Sequence, residues 1–371
     1  MNFDLTDDQK MLAKTVADFG KKESTVERFR KLRDADGLGF EKATWKKMGE
    51  LGWLAIPFPE EVGGLGGSFV DAGIVLEQLG KTLVPEPYLS SVVLGGHALW
   101  LGGSSTQHEK FLAPMMEGDT ILALAFAERN VRFDPRCCAT TARREGDAWV
   151  ISGEKAFVLD GHAADHLVVA AMSDQGMQLF VVDAAACERK TVRLMDGHRA
   201  AHVKLVDVKV GEDRRLAARP AVEVLERVLD YGAAGTVAEG LGVAFAMLWT
   251  TVEYLKTREQ FDVKIGTFQA LQHRTVDMFV EVELLKSIHT ESVVRASEEG
   301  TERTRAVSAA KLQLAQGGQL VSRQAIQLHG GVGVTDEHDI GLWFKRMHTL
   351  VTICGDESAH VARYAATMDA S

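Results

Sequence analysis

Cysteine is scarce in this 371-residue sequence, which has only four: Cys137, Cys138, Cys187 and Cys354. None of them forms a CxxC pair, and zinc sites need grouped Cys and His ligands. Adjacent cysteines such as Cys137 and Cys138 rarely form a disulfide or a metal clamp. We therefore expect no metal site and expect the thiols to be reduced, as they are in the cytoplasm.

Basic charge and long apolar runs are also missing. The formal net charge is -10, which excludes a nucleic-acid-binding surface because such a surface needs a concentrated basic face. No segment approaches the roughly 20 apolar residues that span a bilayer. The first ten residues, MNFDLTDDQK, are acidic and do not resemble a basic leader. We expect a soluble cytoplasmic protein with no nucleic-acid or membrane partner.

The composition present is that of a large globular core, with 46% hydrophobic and 25% charged residues. The chain is too long for one compact helical bundle. Its hydrophobic pattern changes twice, which predicts an α+β fold of three domains. These are an N-terminal helical domain (1–118), a middle antiparallel β-domain (119–212) and a C-terminal four-helix bundle (213–371).

Apolar periodicity near 3.6 residues marks the helices, and Thr6 with Gln9 has the spacing of a capping box. The predicted helices are 7–34, 41–51, 68–80, 88–101 and 106–116, then about 220–256, 266–298, 302–329 and 337–368. Between these two sets, β-branched and aromatic runs separated by polar turns predict strands. The runs are ILALAFAE, AWVISGEKAFVL, HLVVAAM, QLFVVD and HVKLVDVKV.

Four motifs occur in order along the chain. They are LGWLAIPFPEEVGGLGGS (51–68), GEKAFVLDGHAADHLVVAA (153–171), YLKTREQFDVKIGTFQALQHRTVDM (254–278) and QLHGGVGVTDEHDIGLWFKR (327–346). With the domain order, they resemble the acyl-CoA dehydrogenase family over essentially the whole chain. The resemblance implies α,β-dehydrogenation of an acyl-CoA thioester, with hydride transfer to FAD. It also implies a homo- or hetero-oligomer, either dimer or tetramer, and an electron-transfer flavoprotein as acceptor.

The resemblance also implies which residues bind FAD. Arg258, Phe261 and Gln269 match positions around the pyrophosphate and adenine, while Gln327, Gly330 and Gly331 match a segment that reaches the cofactor of a neighbouring subunit. The residue types suit these roles, because an arginine offers a fixed fork of donors and glycines let a backbone approach a ligand closely. No GxGxxG follows a predicted strand, which disfavours a Rossmann-type nicotinamide site.

The flavin face departs from the family pattern. Where many members have TEPxxGSD, this sequence has AERNVRFDP (127–135), with Ala127 in place of the threonine and Glu128 retained. Leu159 stands where a threonine often touches the flavin. Phe157 stands at the position of a tryptophan and is expected to pack on the isoalloxazine ring.

The catalytic base is the largest departure. The family removes the α-proton with a glutamate, and the two positions that carry it are occupied here by Cys354 and Gly232. Glu239 lies seven residues after Gly232, about two helical turns along the same face. Asp356 and Glu357 lie just beyond Cys354. These three carboxylates are the candidates for a relocated base, against a buried role for Glu239 and a role as helix N-terminal acids for the other two.

The thioester itself also has candidate contacts. Asp230 matches a family position near CoA, although the arginine that often follows is Ala233 here. The backbone N–H of Cys354 would still polarise a thioester carbonyl, because that donor does not depend on the side chain.

Four functions stay open at this point. The first is an active dehydrogenase with a relocated base. The second is an FAD-sharing subunit of a heteromeric dehydrogenase, of the type acting on steroid or bile-acid side chains, with the base on a partner chain. The third is a flavin monooxygenase on the same fold, and the fourth is a redox-silent family member.

Overall fold

A computed structural model describes residues 4–129, 131 and 133–368 of the chain. Its N-terminal part is helical, as predicted, and residues 52–68, between the helices predicted over 41–51 and 68–80, form a loop with one 3₁₀ turn at Glu60–Val62. The helices are α1 (Asp7–Lys22), α2 (Val26–Asp34), α3 (Lys42–Glu50), α4 (Phe69–Thr82), α5 (His97–Gly102), α6 (Ser105–Gln107) and α7 (Ala113–Met116). Two π-helical segments, Tyr88–Gly96 and His108–Leu112, adjoin α5 and α7.

The start of α1 confirms the capping box. The Gln9 N–H donates to Thr6 Oγ1 at 3.2 Å, and the Thr6 N–H donates to Gln9 Oε1 at 3.1 Å. The single helix predicted over 7–34 is wrong, however. The N–H groups of Glu23 and Ser24 both donate to the Phe19 carbonyl, which ends α1 and separates it from α2.

The described residues in the middle of the chain form one eight-stranded sheet. Its strands are β1 (Leu122–Ala125), β2 (Thr141–Glu145), β3 (Ala148–Leu159), β4 (His166–Ser173), β5 (Gly176–Asp183), β6 (Glu188–Arg193), β7 (Arg199–Gly211) and β8 (Arg215–Leu216). The order is β6-β7-β3-β2-β4-β5-β8, and β1 pairs with β4. The β-domain is confirmed, but it is not wholly antiparallel, because β1 and β2 pair parallel to β4.

The C-terminal part is again helical. Its helices are α8 (Ala221–Thr257), α9 (Gln269–Arg295), α10 (Thr301–Gln313), α11 (Gln319–His329), α12 (Ile340–Leu350) and α13 (Glu357–Met368). A π-helical turn, Leu314–Gly318, joins α10 to α11, and a hairpin of β9 (Glu259–Gln260) and β10 (Val263–Lys264) follows α8. The continuous helix predicted over 337–368 is wrong, because a turn between α12 and α13 interrupts it. That turn carries Cys354.

The chain divides into two compact units. We call them the helical unit, from residues 1–31, 69–84 and 233–371, and the sheet unit, from residues 32–68 and 85–232. The domain boundaries inferred from the sequence, 118/119 and 212/213, stay predictions.

Close helix packing explains two glycines of the helical unit. A Cβ on Gly80 of α4 would overlap the Glu239 carbonyl oxygen, and one on Gly242 of α8 would overlap the Glu77 carbonyl oxygen. Glycine is needed at both positions because the two backbones approach too closely for a side chain. Around this contact lies an apolar core that includes Val237, Leu241, Met247, Leu285, Leu314, Trp343 and Met347.

Helix α8 corrects one sequence expectation. It is long and apolar enough, by length and composition alone, to cross a membrane, although no such segment was expected. However, 83% of its most apolar stretch is buried within the structure. Such burial is typical of a core helix.

Candidate functional site

The flavin-face candidates lie at an irregularity in the sheet unit. The pairing of β3 with β7 shifts register between Lys155 and Val158, and Phe157 within this bulge has φ +52°. A bulge changes the direction in which side chains point. Phe157 is 57% exposed, and its ring contacts the His202 ring in a T-shaped arrangement with 4.8 Å between centroids. The Ala127 carbonyl accepts from the Ala156 N–H at 2.8 Å. Leu159, partly buried, pairs with Ala200.

Glu128 is not available as a base. Its carboxylate accepts from Lys155 Nζ at 2.6 Å, Thr140 Oγ1 at 2.7 Å and the Ala139 N–H at 2.7 Å. Burial opposes ionisation of Glu128, but these hydrogen bonds outweigh it and lower its pKa to about 2. The carboxylate is therefore ionised and held in place. Asn130 and Arg132 of the same segment lie outside the described residues.

A cavity of about 550 Å³ opens beside the ion pair of Glu128 and Lys155. Its lining carries more cations than anions: Arg129, Lys155, Arg189, Lys190 and Lys204 against Glu128, Glu154 and Glu188. Such a lining suits an anionic ligand. Sequence reasoning missed it because its charges come from the segment after β1 and from β3, β6 and β7, and no local motif joins them.

In the helical unit, Arg258, Phe261 and Gln269 lie on and beside the β9–β10 hairpin, and all three are exposed. Phe261 and Asp262 form its two-residue turn, with φ +57° and +61°. Two positive φ values are typical of a type I′ turn, in which a phenylalanine is unusual. The Phe261 ring is 87% exposed.

The segment predicted to reach a neighbouring cofactor ends α11 in the same unit. Gln327 is exposed, and a Cβ placed on Gly330 or Gly331 would meet nothing within 4 Å. The ring of Tyr254 stacks on His329 with 4.3 Å between centroids, so the end of α8 lies beside this segment. We call Arg258, Phe261, Gln269, Gln327, Gly330 and Gly331 the cofactor face.

Glu239 has a partner that the sequence does not reveal. It is 6% exposed, and its two carboxylate oxygens accept from Arg346 Nε at 2.6 Å and Nη2 at 2.9 Å. This bidentate pairing fixes both groups. The geometry favours a buried structural role for Glu239 over a relocated base.

Asp356 and Glu357 lie at the start of α13. Asp356 Oδ1 accepts from the Ala359 N–H and from Ser358 Oγ, both at 3.0 Å, which is the geometry of a helix N-cap. Glu357 is exposed, and its Oε1 accepts from Gln316 Nε2 at 2.8 Å. Both residues thus occupy N-terminal positions of α13, where acidic side chains complement the helix dipole, and their assignment as a base stays a prediction.

The two usual base positions hold no carboxylate. Gly232 is buried on α8 within the sheet unit, as is Asp230, which is fully buried. Cys354, in the helical unit, is partly buried and has φ +57°. Its carbonyl oxygen lies 3.0 Å from His360 Nε2.

Comparison with known families matches nearly the whole chain. The profile described as acyl-CoA dehydrogenase, N-terminal domain, matches residues 6–119. The middle-domain profile matches residues 123–208, and the C-terminal-domain profile matches residues 222–368.

Individual relatives agree. A probable acyl-CoA dehydrogenase of Bacillus subtilis, YngJ, is 30% identical over 358 residues, covering 92% of each chain. The structure of the ChsE4–ChsE5 complex from Mycobacterium tuberculosis contains a chain that is 28% identical, with a TM-score of 0.92 and full coverage of both chains. A variant of the Tcur3481–Tcur3483 steroid ACAD is 28% identical, with a TM-score of 0.89 and 98% coverage of both chains.

Proposed function

We propose, since this chain belongs to the acyl-CoA dehydrogenase family, that it serves in α,β-dehydrogenation of an acyl-CoA thioester as an FAD-sharing subunit whose base comes from a partner chain. Dehydrogenation is the activity of the family. The observation that carries the partner-supplied base is the state of the candidate carboxylates. Glu239 is locked by Arg346, Asp356 caps α13, and Glu357 faces solvent beside Gln316.

FAD fits the residues of the cofactor face. Arg258 offers a fork of donors for a diphosphate, and Gly330 and Gly331 leave open space above their backbone. A phenylalanine held at φ +57° and almost fully exposed is costly for an isolated surface. That cost is accounted for if Phe261 packs against a ligand or a neighbouring chain. FAD, when bound, supplies hydride acceptance, and the chain's own residues bind and orient it.

An exposed apolar face supports assembly. Helices α8 and α9 expose a patch of large apolar side chains, each at least 41% exposed: Phe245, Trp249, Val276, Phe279, Val280 and Leu284. Beside it lies an apolar groove of about 350 Å³ lined by Trp249, Val276 and Phe279, among others. Contiguous apolar surface of this kind is typical of a subunit interface. We infer that the working form is an oligomer.

Two of the similar structures bear on the kind of oligomer and substrate. One is a complex of two proteins, ChsE4 and ChsE5, and the other is a steroid ACAD of two proteins, Tcur3481 and Tcur3483. We extend both properties to this chain as part of the proposal: a heteromeric assembly acting on a bulky thioester such as a steroid side-chain acyl-CoA. An electron-transfer flavoprotein remains the proposed acceptor.

The test compares the chain purified alone with the chain co-expressed with other acyl-CoA dehydrogenase-family chains of its genome. Acyl-CoA thioesters, bulky ones included, are added without oxygen while the flavin absorbance is followed. We expect flavin to bleach only in the co-expressed assembly. Bleaching by the isolated chain would overturn the partner-supplied base, and a protein that cannot be loaded with FAD would overturn the enzymatic proposal.

A matched pair of variants identifies the source of any bleaching by the isolated chain. Asp356→Asn keeps an N-cap acceptor and removes the carboxylate, while Glu357→Gln removes the neighbouring charge. We expect neither to change the activity of the assembly. If the isolated chain bleaches, a loss of about 100-fold or more in its bleaching rate in one variant would assign the base to that residue.

A further inference from the structure

The turn between α12 and α13 has an unusual backbone. Cys354 has φ +57° and Gly355 has φ +117°, and the first of these is unfavourable for any residue with a Cβ. A conformation of this kind persists only when the surroundings determine it. The contacts that do so come from two buried side chains, Lys311 and His360.

Lys311, on α10, holds the beginning of the turn. It is 1% exposed, and its Nζ donates to the carbonyls of Leu350 and Ile353, both at 2.8 Å, and to Thr236 Oγ1 at 3.2 Å. Leu350 ends α12, where carbonyls lack partners within the helix. Lys311 therefore replaces the backbone donors that a continuing helix would supply. Burial lowers its pKa to about 7.

His360, on α13, holds the next carbonyl. Its Nε2 lies 3.0 Å from the Cys354 oxygen, and its Nδ1 lies 3.3 Å from Ser308 Oγ. Burial, reinforced by the charge of Lys311, lowers the His360 pKa to about 3, so the ring is neutral. It donates from Nε2 to Cys354, because a carbonyl can only accept. A Cβ on Gly355 would lie 2.6 Å from this nitrogen, so glycine is required there.

These hydrogen bonds go to backbone carbonyls and to the Thr236 and Ser308 hydroxyls, while the Cys354 thiol lies close enough to Lys311 to interact with its charge. We propose that Lys311 and His360 are positioning residues, which set the Cys354–Gly355 backbone through hydrogen bonds to the carbonyls of Leu350, Ile353 and Cys354. This inference rests on the proposed function, in which position 354 is the place of the family's missing base. The resemblance puts the thioester at this turn, so a carboxylate introduced at 354 would be held where the family carries its base. That carboxylate would take up the α-proton of the thioester as the α,β double bond formed, and FAD held by the cofactor face would supply the acceptor for the β-hydride.

The first experiment installs that base. Cys354→Glu is compared with Cys354→Gln, its uncharged match, in the FAD-loaded full-length chain, and anaerobic bleaching is timed at saturating thioester. We expect the glutamate variant to bleach about 100-fold faster than the glutamine variant, the ordinary size of a general-base effect. Equal rates in two variants that both bind FAD and thioester would overturn the proposal.

The second experiment removes the positioning contact. In the Cys354→Glu background, His360→Leu lacks the donor, while His360→Gln keeps an amide donor for the same carbonyl. We expect the leucine variant to bleach about tenfold more slowly, with no change in the thioester concentration that gives half of the maximal rate. We expect the glutamine variant to bleach within about threefold of the rate of its parent. A leucine variant as fast as its parent would refute a positioning role.

A third measurement does not depend on the flavin. Hydrogen–deuterium exchange of the amides at 352–356 is followed in the unmodified chain and in its His360→Leu, His360→Gln and Lys311→Met variants. We expect exchange to be about tenfold faster with leucine and methionine, and nearly unchanged with glutamine. Unchanged exchange in the leucine and methionine variants would overturn the proposal. This result stands even if the chain never binds FAD, so failure of the proposed function and failure of this inference are distinguishable.

Discussion

Two groups of residues in the helical unit bear on the candidate site but differ in their surroundings. The first, which we call the buried polar set, comprises Glu239, Lys311, Arg346 and His360. Its side chains lie inside the protein with hydrogen-bond partners at 2.6–3.3 Å. The second is the cofactor face, where Phe261 is 87% exposed and Gly330 has open space around it.

This difference in burial predicts that the buried polar set contributes to stability and the cofactor face to ligand binding. A buried charge that loses its partner destabilises the fold, because an uncompensated charge is left in a medium of low polarity. An exposed arginine or aromatic ring contributes little to the free energy of unfolding but supplies contacts to a ligand. Substitutions in the buried polar set should therefore change stability, and substitutions in the cofactor face should change FAD affinity.

The largest effect is expected from the Glu239–Arg346 pair. Glu239→Gln leaves the guanidinium without its anion, and we expect the free energy of unfolding to fall by about 3–5 kcal/mol. Chemical denaturation measures this. The paired replacement Glu239→Leu with Arg346→Met should recover most of the loss, since neither partner then carries a buried charge. A Glu239→Gln variant as stable as its parent, with an assembly at least 100-fold less active, would identify Glu239 as the base.

The same reasoning applies to a buried group of the sheet unit, His97. Its ring lies among Phe58, Trp100 and Tyr231, and its Nδ1 donates to the Val92 carbonyl at 3.0 Å. Burial lowers its pKa from 6.5 to about 4. The unfolded chain therefore binds a proton at His97 as the pH falls below 6.5, whereas the folded protein does so only as the pH approaches 4.

Stability contributed by neutral His97 is complete above pH 6.5 and is lost as the pH falls towards 4, by about 3 kcal/mol in total. His97→Gln, which keeps an amide donor, should flatten this part of the curve of unfolding free energy against pH. Urea denaturation between pH 4 and 7 measures both proteins. Parallel curves would show that His97 does not titrate in this range.

Much of the fold was predictable because its signals are local. The Thr6 capping box, the apolar periodicity of α3 and α4, and the β-branched runs of β3 to β5 all depend on residues close in sequence. Strands β2 (TARRE) and β6 (ERKTVR) were not predicted, because charged side chains mask their alternation. Position 354 was identified by resemblance, but its turn was not.

The candidate site was less predictable because its decisive contacts join distant residues. Arg346 lies 107 residues from Glu239, and Lys311 lies 42 from Ile353. No periodicity or motif spacing reports such a pair. The Cys354–Gly355 dipeptide gave the one available signal, since a glycine inside a predicted helix argues against an unbroken helix.

Arg258 tests the exposed side of the comparison. Arg258→Lys keeps the charge but loses the planar fork, and we expect FAD to bind about tenfold more weakly with the unfolding free energy of the apoprotein unchanged. Arg295→Lys is the control, an arginine in the same unit that pairs with Glu298. Flavin fluorescence quenching gives the affinities. Equal weakening in both variants, or in neither, would remove Arg258 from the cofactor face.

The smallest effect, and the one that separates the two roles within a single hairpin, is expected at Phe261 and Asp262. Both have positive φ, so glycine at either position should stabilise the apoprotein by about 1 kcal/mol. Only Phe261→Gly should also weaken FAD binding or assembly, because it removes the exposed ring, whereas Asp262→Gly relieves the same backbone strain and leaves that ring in place. Thermal denaturation and FAD titration of the two variants decide the matter: if both gain stability and bind FAD equally well, the exposed phenylalanine is a feature of the turn alone and makes no contact with the cofactor.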